Sequence, residues 1–273
     1  MTQYQHRTYK IPCHQVSIMK RIGIFGDLHT GHRTGLCHPD WWGGNPKVKK
    51  ELERVWTWFV ESLKKAGRLE CVVLNGDFVD GPGVKNGQEC IISDLNDQQK
   101  CAAEIIKTII KITNNPIVYM TYGTPAHVTL RQGYELEKGV ADMLGITIKR
   151  QLWIKVDEFT LDIRHHPAGN STVFPGNPLQ KEHEANLKWM RENVQPEAQF
   201  IIRSHTHKMY TVSEPNRWMG IACPSLQGMT SYGSRLSNVV HCGWGILDFS
   251  KKGDWPTWKV TELPRKKERV FSL

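Results

Sequence analysis

Short apolar runs recur along the chain, and in its first half they alternate with segments of helical spacing. Ile22 to Phe25 and Cys71 to Leu74 are such runs, each followed by glycine or polar residues. Buried parallel strands have continuous apolar sequences, so both runs are predicted strands that lead into functional loops. Between them, apolar residues recur at helical spacing from Val48 to Ala66, with Gly67 as the expected C-cap. The pattern predicts a β-α-β unit.

The pattern changes at Gly145 from alternating strands and helices to mostly strands. Before Gly145 we predict helices over 97–113 and 134–144 and a strand over 116–121. After Gly145 we predict one helix, at 181–193, and strands over 146–156, 160–164, 200–203, 209–212, 218–222, 244–249 and 258–261. An α/β first half followed by a mostly β second half indicates two packed sheets with helices outside them.

Five short polar segments follow predicted strands at the points where the strands should end. They are Asp27-Leu28-His29, Gly76-Asp77, Gly123-Thr124-Pro125-Ala126-His127, His165-His166 and His205-Thr206-His207. Residues i and i+2 of a strand project to the same face, so each D-x-H or H-x-H segment can point two side chains into one crevice. In open α/β sheets that crevice lies outside the carboxyl ends of the strands. Acids and imidazoles gathered there indicate a site for two metal ions.

The length of the chain and its net charge limit the number of domains and the kind of substrate. The candidate ligands span residues 27–207 and must share one site, so we expect a single domain over residues 1–273. Its core should cover about 20–262, between a polar N-terminal extension and a basic C-terminal tail. The net charge of +9 suits an anionic substrate, and a solvated basic surface explains it equally well.

The cysteine content and the apolar runs of the sequence indicate the cellular compartment of the protein. Seven cysteines without a C-x-x-C pair indicate reduced thiols in a cytoplasm. No apolar run approaches the ~20 residues of a membrane span. We therefore expect a soluble, cytoplasmic protein with no membrane partner.

The order D-x-H, G-D, G-x-x-x-H, H, H-x-H resembles the calcineurin-like metallophosphoesterase superfamily over about residues 20–250. The segments at 26–32 and 123–127 are similar to members carried by bacteriophages and prophages. The resemblance implies a four-layer α/β/β/α sandwich of two mixed sheets flanked by helices, with a dinuclear site between the loops of the sheets. It implies a phosphoesterase in which two divalent ions, manganese, iron or zinc, present a hydroxide to phosphorus.

Carried over position by position, the resemblance implies six metal ligands: Asp27, His29, Asp77, His165, His205 and His207. The first ion would be held by Asp27, His29, Asp77 and His207. Asp77 would bridge the two ions, since a shared anion offsets the repulsion between neighbouring dications. His205 and either His165 or His166 would hold the second ion. His165 is preferred because related members often place this ligand two residues before a proline. Asp80 is expected to orient a ligand imidazole.

The third segment departs from the family pattern. The family has Gly-Asn-His there, with the Asn as a ligand of the second ion, whereas Gly123 is followed by Thr124, Pro125, Ala126 and His127. Thr124 could offer its hydroxyl to the metal or to a bound water. His127 could protonate the leaving group or replace the missing ligand, and we favour the first role.

The segment from Thr30 to Pro46 follows the first ligands directly and should overhang the site. His32 and Arg33 are candidates for contacting a substrate phosphate, and Trp41 or Trp42 for stacking a base. An ordinary loop held by buried tryptophans is an equal alternative. These features and the phage resemblance favour a phosphodiester of nucleic acid or a nucleotide as substrate. The competing hypothesis is a binding or assembly protein that keeps the sandwich and has lost the chemistry.

Overall fold

A computed structural model of the chain describes residues 14–15, 21–42, 45–82, 89–125, 135–169, 174–231, 233–236, 239–250 and 254–265. The helices are α1 Pro46–Ala66, α2 Leu95–Ile112, α3 Leu136–Leu144, α4 Asn177–Arg191 and the single turn α5 Gly233–Leu236. The strands are β1 His14–Gln15, β2 Arg21–Phe25, β3 Cys71–Asn75, β4 Ile117–Thr121, β5 Ile148–Lys149, β6 Leu152–Val156, β7 Phe159–Ile163, β8 Phe200–Arg203, β9 Tyr210–Glu214, β10 Trp218–Ala222, β11 Gly243–Asp248 and β12 Thr257–Glu262.

The strands form two mixed sheets of six strands each. Sheet 1 has the order β12-β11-β2-β3-β4-β5, and β2 through β5 run parallel. Sheet 2 has the order β1-β6-β7-β8-β10-β9, with parallel pairing of β7 with β8 and of β8 with β10. The strands that precede the five polar segments therefore lie side by side within their sheets.

Alternating side chains of β3 show how the layers stack. Val72 and Leu74 pack against α1, α2 and α3, whereas Cys71 and Val73 pack against sheet 2. On the other side of sheet 2, Leu179 of α4 packs on the strands. The order is helices, sheet 1, sheet 2, helix, which confirms the predicted α/β/β/α sandwich.

Caps explain where the helices begin and end. The Asn45 side chain accepts hydrogen bonds from the first turn of α1, and Gly67 ends that helix with a φ of 71°. Gly145 ends α3 in the left-handed conformation, as predicted. Helix α4 begins at Asn177, four residues before the predicted start. Pro178 lies in its first turn, where proline is tolerated because the N–H has no intrahelical partner there.

The predicted single strand over 146–156 is wrong. The structure divides it into β5, at the edge of sheet 1, and β6, in sheet 2. Periodicity along a sequence reports the face of a side chain and not the sheet to which it belongs. The chain thus crosses between the sheets at Arg150 and Gln151.

Strand β8, which leads to the last candidate ligands, is anchored by a buried ionic network. Arg203 is fully buried, and its guanidinium pairs with Asp162 at 2.5 Å and with Glu182. Arg164 also pairs with Glu182, at 2.6 Å. Removing one partner of such a network would leave a buried charge without compensation. Within the part of the chain that the structure describes, no helix has the length and apolar content to cross a bilayer.

Candidate metal centre

The five polar segments all begin just after a strand ends. The preceding strands β2, β3, β4, β7 and β8 end at Phe25, Asn75, Thr121, Ile163 and Arg203. Because these strands run parallel within each sheet, their carboxyl ends lie at one edge of the sandwich. The predicted placement of the segments at strand ends is confirmed.

The backbone of these segments is not extended. Asp27, His29, Asp77, His205 and His207 all have a positive φ, between 43° and 70°. Non-glycine residues rarely adopt this left-handed conformation, and its concentration at one site is typical of functional loops. Tight turns beyond the strands, and not strand alternation, therefore aim these side chains. Asp27 and His29 still fall into one donor group, as predicted, and His205 and His207 fall into different donor groups, as the resemblance implied.

Hydrogen bonds between the loops hold these turns in place. The loops after β2 and β3 continue the parallel pairing beyond the sheet, with Asp27 N–H donating to the Gly76 carbonyl at 3.0 Å and His29 N–H to the Asp77 carbonyl at 2.9 Å. Across the two sheets, the backbone N–H of His205 donates to the Asp27 carboxylate at 3.2 Å. The Asp27 carboxylate thus fixes the position of His205 relative to Asp27 itself.

The first donor group is formed by Asp27, His29 and His207, whose ligand atoms lie within 4.8 Å of one another. Nε2 of His207 is 3.3 Å from Asp27 Oδ1, and Nε2 of His29 is 3.8 Å from Asp77 Oδ2. The other ring nitrogen of His29 lies 3.4 Å from Asp80 Oδ1. A carboxylate in that position can orient the ring and leave Nε2 directed into the centre.

A second group joins both carboxylates to one imidazole. Nε2 of His165 is 3.0 Å from Asp77 Oδ2 and 3.8 Å from Asp27 Oδ1. Its Nδ1 lies 2.7 Å from the carbonyl oxygen of Asn75, and an N–H donated to that carbonyl directs Nε2 toward the carboxylates. Asp77 therefore contacts imidazoles from both sheets, as a shared ligand would.

The third group consists of His165, His166 and His205, again with donor atoms within 4.8 Å. The Thr124 side chain lies among them: its Oγ1 is 3.0 Å from His205 Nδ1 and 3.3 Å from His165 Nε2. Thr124 also donates from Oγ1 to Asp77 Oδ2 at 2.9 Å and from its backbone N–H to Oδ1 at 2.6 Å. The Thr124 hydroxyl therefore lies among the donors of the third group. His127 lies outside the described residues.

The electrostatics of the centre favour cations. Asp27 and Asp77 are 0% and 1% exposed. Burial lowers the pKa of His165, but the two carboxylates outweigh it and raise that pKa to about 10. The pKa of His205 falls to about 4, because of burial and of the neighbouring His165 and His166. Buried carboxylates need positive charge to offset lost solvation. A protonated His165 supplies such a charge in the metal-free chain, and His205 presents a neutral nitrogen donor. The residues therefore fit divalent metal ions.

Glu137 of α3 belongs to the surroundings of the centre and was missed in the sequence. It is fully buried, and its two carboxylate oxygens accept from Phe78 N–H at 2.9 Å and Gly123 N–H at 2.6 Å. It thereby ties the loop after β3 to the loop after β4. Burial and the charge of Asp77 raise its pKa to about 8. The sequence signal that could have found it is a carboxylate three and four residues before Val140 and Ala141, on one face of the helix predicted over 134–144.

Two glycines allow the ligand loops to approach closely. A Cβ atom on Gly123 would lie 2.1 Å from Asp77 Oδ1 and 2.3 Å from its backbone nitrogen. At Gly76, which has a φ of 74°, a Cβ would lie 2.6 Å from Nδ1 of His165. The glycines in the second and third segments are therefore required by the packing of the centre.

The rim residues make contacts of their own. Arg33 pairs with Glu89 at 2.6 Å, and Glu89 also accepts from the Ser231 N–H and hydroxyl. His32 is 7% exposed, and its Nε2 lies 3.6 Å from Glu89. The Arg33 side chain remains 44% exposed, so it is accessible from solvent.

The two tryptophans of the rim pack on the protein. Trp41 and Trp42 are partly buried against the core between sheet 1 and its helices. The indole N–H of Trp42 donates to the Cys37 carbonyl at 3.1 Å. These contacts favour the alternative of a loop held by tryptophans over base stacking.

No protein-family model and no curated protein matches the sequence. Solved structures with a related backbone include a predicted phosphoesterase from Streptococcus pneumoniae, which is 10% identical and aligns over 90% of this chain and 99% of its own, with a TM-score of 0.37. Vps29 from Chaetomium thermophilum is 11% identical over 89% and 97%, with a TM-score of 0.44. A dimetal phosphatase from Danio rerio is 11% identical over 84% and 92%, with a TM-score of 0.35. Identities and TM-scores this low carry no inference about activity, so function rests on the geometry of the centre.

Proposed function

We propose that this protein is a metal-dependent phosphoesterase of the calcineurin-like superfamily that uses two divalent ions. The observation that carries the proposal is the meeting of three donor groups around two buried carboxylates, Asp27 and Asp77. Structural ion pairs place an Arg or Lys beside a buried acid, as Arg203 does elsewhere in this chain. At the centre the partners of the buried acids are imidazoles instead, and imidazole nitrogens are common metal ligands in proteins.

The ligands divide into two positions that share Asp77. Asp27, His29 and His207 would hold the first ion, and His165 and His205 the second. Asp77 would bridge, as the resemblance implies, and its Oδ2 lies 3.0 Å from Nε2 of His165 and 3.8 Å from Nε2 of His29. Asp27 is similarly placed, with Oδ1 3.8 Å from Nε2 of His165 and 3.3 Å from Nε2 of His207, so the distances allow either carboxylate to be shared. When bound, two such ions polarise a phosphoryl oxygen and lower the pKa of a water nucleophile to near neutrality.

Protonation of the leaving group and binding of the substrate phosphate would be carried out by side chains. His127 is our candidate for protonating the leaving oxygen, a role proposed from sequence alone. Arg33 could bind a phosphate oxygen of the substrate in exchange for part of its contact with Glu89. His32, the residue before it, would line the same rim. The positive net charge of +9 supports an anionic substrate. We therefore propose a phosphodiester of nucleic acid or a nucleotide, with manganese, iron or zinc as the ions.

A second candidate function is a binding or assembly protein that retains the sandwich without the chemistry. The hydrogen bonds of Thr124 favour it, since its hydroxyl contacts Asp77, His165 and His205 and provides polar partners without an ion. Against it, Asp27, His29 and His207 form a further donor group that a protein without the chemistry need not keep.

The test is hydrolysis of bis(p-nitrophenyl) phosphate by purified protein supplied in turn with manganese, iron, zinc, nickel and cobalt. We expect activity with at least one ion, its loss on chelation and its return when the ion is restored. Ion content per chain should be measured on the same samples. Folded protein that binds no ions and is inactive with every metal would support the binding-protein candidate.

A further inference from the structure

The second ion position lacks the amide ligand of the family pattern, and the structure places a third imidazole beside it. His166 follows the ligand candidate His165 directly, yet both rings turn toward the same space. The ring centroids of His166 and His205 are 3.9 Å apart, and those of His165 and His205 are 5.4 Å apart. One nitrogen from each ring lies within 4.8 Å of a nitrogen of each of the others.

We infer that His166 supplies the third imidazole of the second ion position, and that this position consequently selects zinc over manganese. The inference rests on the proposed function and specifies its cofactor. Consecutive histidines can both serve here because the chain has left β7 at Ile163, so strand alternation no longer separates them. The sequence had posed His165 and His166 as alternatives, whereas the geometry lets both contribute.

The two positions then differ in donor chemistry. The first has two carboxylates and two imidazoles, from Asp27, Asp77, His29 and His207. The second has the shared carboxylate of Asp77 and three imidazoles. Carboxylate oxygens suit manganese, and imidazole nitrogens suit zinc, iron and nickel. The second position should therefore discriminate more strongly in favour of zinc than the first.

Thr124 is the competing replacement for the amide. Its hydroxyl already donates to Asp77 Oδ2 at 2.9 Å, which holds its oxygen 3.0 Å from His205 Nδ1. A neutral hydroxyl is a weaker donor to zinc than an imidazole nitrogen. We therefore assign it to orienting Asp77, a contact that Thr124→Val would remove with little change in shape.

The experiment measures stepwise zinc and manganese affinity of the full chain by chelator competition, with ion content determined by mass spectrometry. The variants are His166→Ala, Thr124→Val and, as a matched control, His38→Ala, a histidine outside the three donor groups. His166→Ala should weaken the tighter zinc step by more than about 100-fold, the upper end of what losing an outer-shell partner costs. Manganese affinity should fall less, so the preference for zinc at that position shrinks. His38→Ala should match the parent.

Cobalt substitution gives a readout independent of activity. Each ligating imidazole N–H produces a paramagnetically shifted proton resonance, and His166→Ala should remove one and leave the others. Unchanged zinc affinity and an unchanged set of resonances in His166→Ala would overturn the inference while leaving the proposed function intact. Loss of the tight zinc step in Thr124→Val alone would likewise overturn it. A parent protein that binds no ions would instead overturn the proposed function.

Discussion

Gly123→Ala adds a single methyl group to the most crowded point of the proposed centre. The new Cβ would lie 2.1 Å from Asp77 Oδ1 and 2.3 Å from the Asp77 backbone nitrogen. Carbon and its non-bonded neighbours are normally separated by about 3.5 Å, so one of the two loops must move by about 1 Å or more. Neither partner is the flexible end of a long side chain. The carboxylate proposed to bridge the ions is therefore displaced.

The size of the effect follows from that displacement. A misplacement of about 1 Å in a catalytic group can cost about 10²-fold in rate. Overpacking of this kind typically costs about 1–3 kcal/mol in the free energy of unfolding. We expect Gly123→Ala to fold, to lose about 100-fold in kcat and to bind less than the parent content of ions.

The assay compares Gly123→Ala with Gly145→Ala. Gly145 has a φ of 67° and nothing within 4 Å of its hypothetical Cβ, so its substitution strains the backbone without a collision. That strain costs roughly 1–2 kcal/mol, comparable with the expected loss at Gly123. Thermal unfolding, ion content and kcat on bis(p-nitrophenyl) phosphate are measured for both. Full ion content and near-parent kcat in Gly123→Ala would refute the assignment of Asp77 to the centre.

Three further changes test other parts of the site. Asp77→Asn should cost more activity than any other single ligand change and reduce ion content, because one side chain serves both ions; retention of both ions with normal turnover would contradict the bridge. His127→Ala should leave ion content unchanged and slow esters with poor leaving groups by ~10²- to 10⁴-fold more than p-nitrophenyl esters, as expected for a general acid; equal loss on both, with a missing ion, would make it a ligand. Because the pKa of Glu137 is raised from 4.5 to about 8, the folded metal-free protein holds a proton that the unfolded chain releases, so its free energy of unfolding should fall as pH rises from about 4.5 to about 8. Glu137→Gln should flatten that fall in chemical denaturation at several pH values, and an unchanged slope would show that Glu137 is not responsible.

The sequence predicted the architecture because local patterns carry it. Continuous apolar runs identified β2 and β3, helical spacing identified α1, and Gly67 and Gly145 ended their helices as expected. Each reflects a preference acting over a few residues, either burial of an apolar face or the left-handed backbone of a C-cap. The same locality placed the polar segments at the ends of strands.

Only the tertiary structure decided how those segments meet. The left-handed turns at the candidate ligands send His205 and His207 to different donor groups, which strand alternation could not predict. The passage of the chain from sheet 1 to sheet 2 at Arg150 and Gln151 is invisible to periodicity. Glu137 contacts the loops of the centre by accepting hydrogen bonds from the backbone N–H groups of Phe78 and Gly123. Because every residue except proline has such an N–H, the sequence does not single out these two partners. Local sequence thus determined which residues stand at strand ends, while their pairing depended on contacts between segments as far apart in the chain as Asp27 and His207.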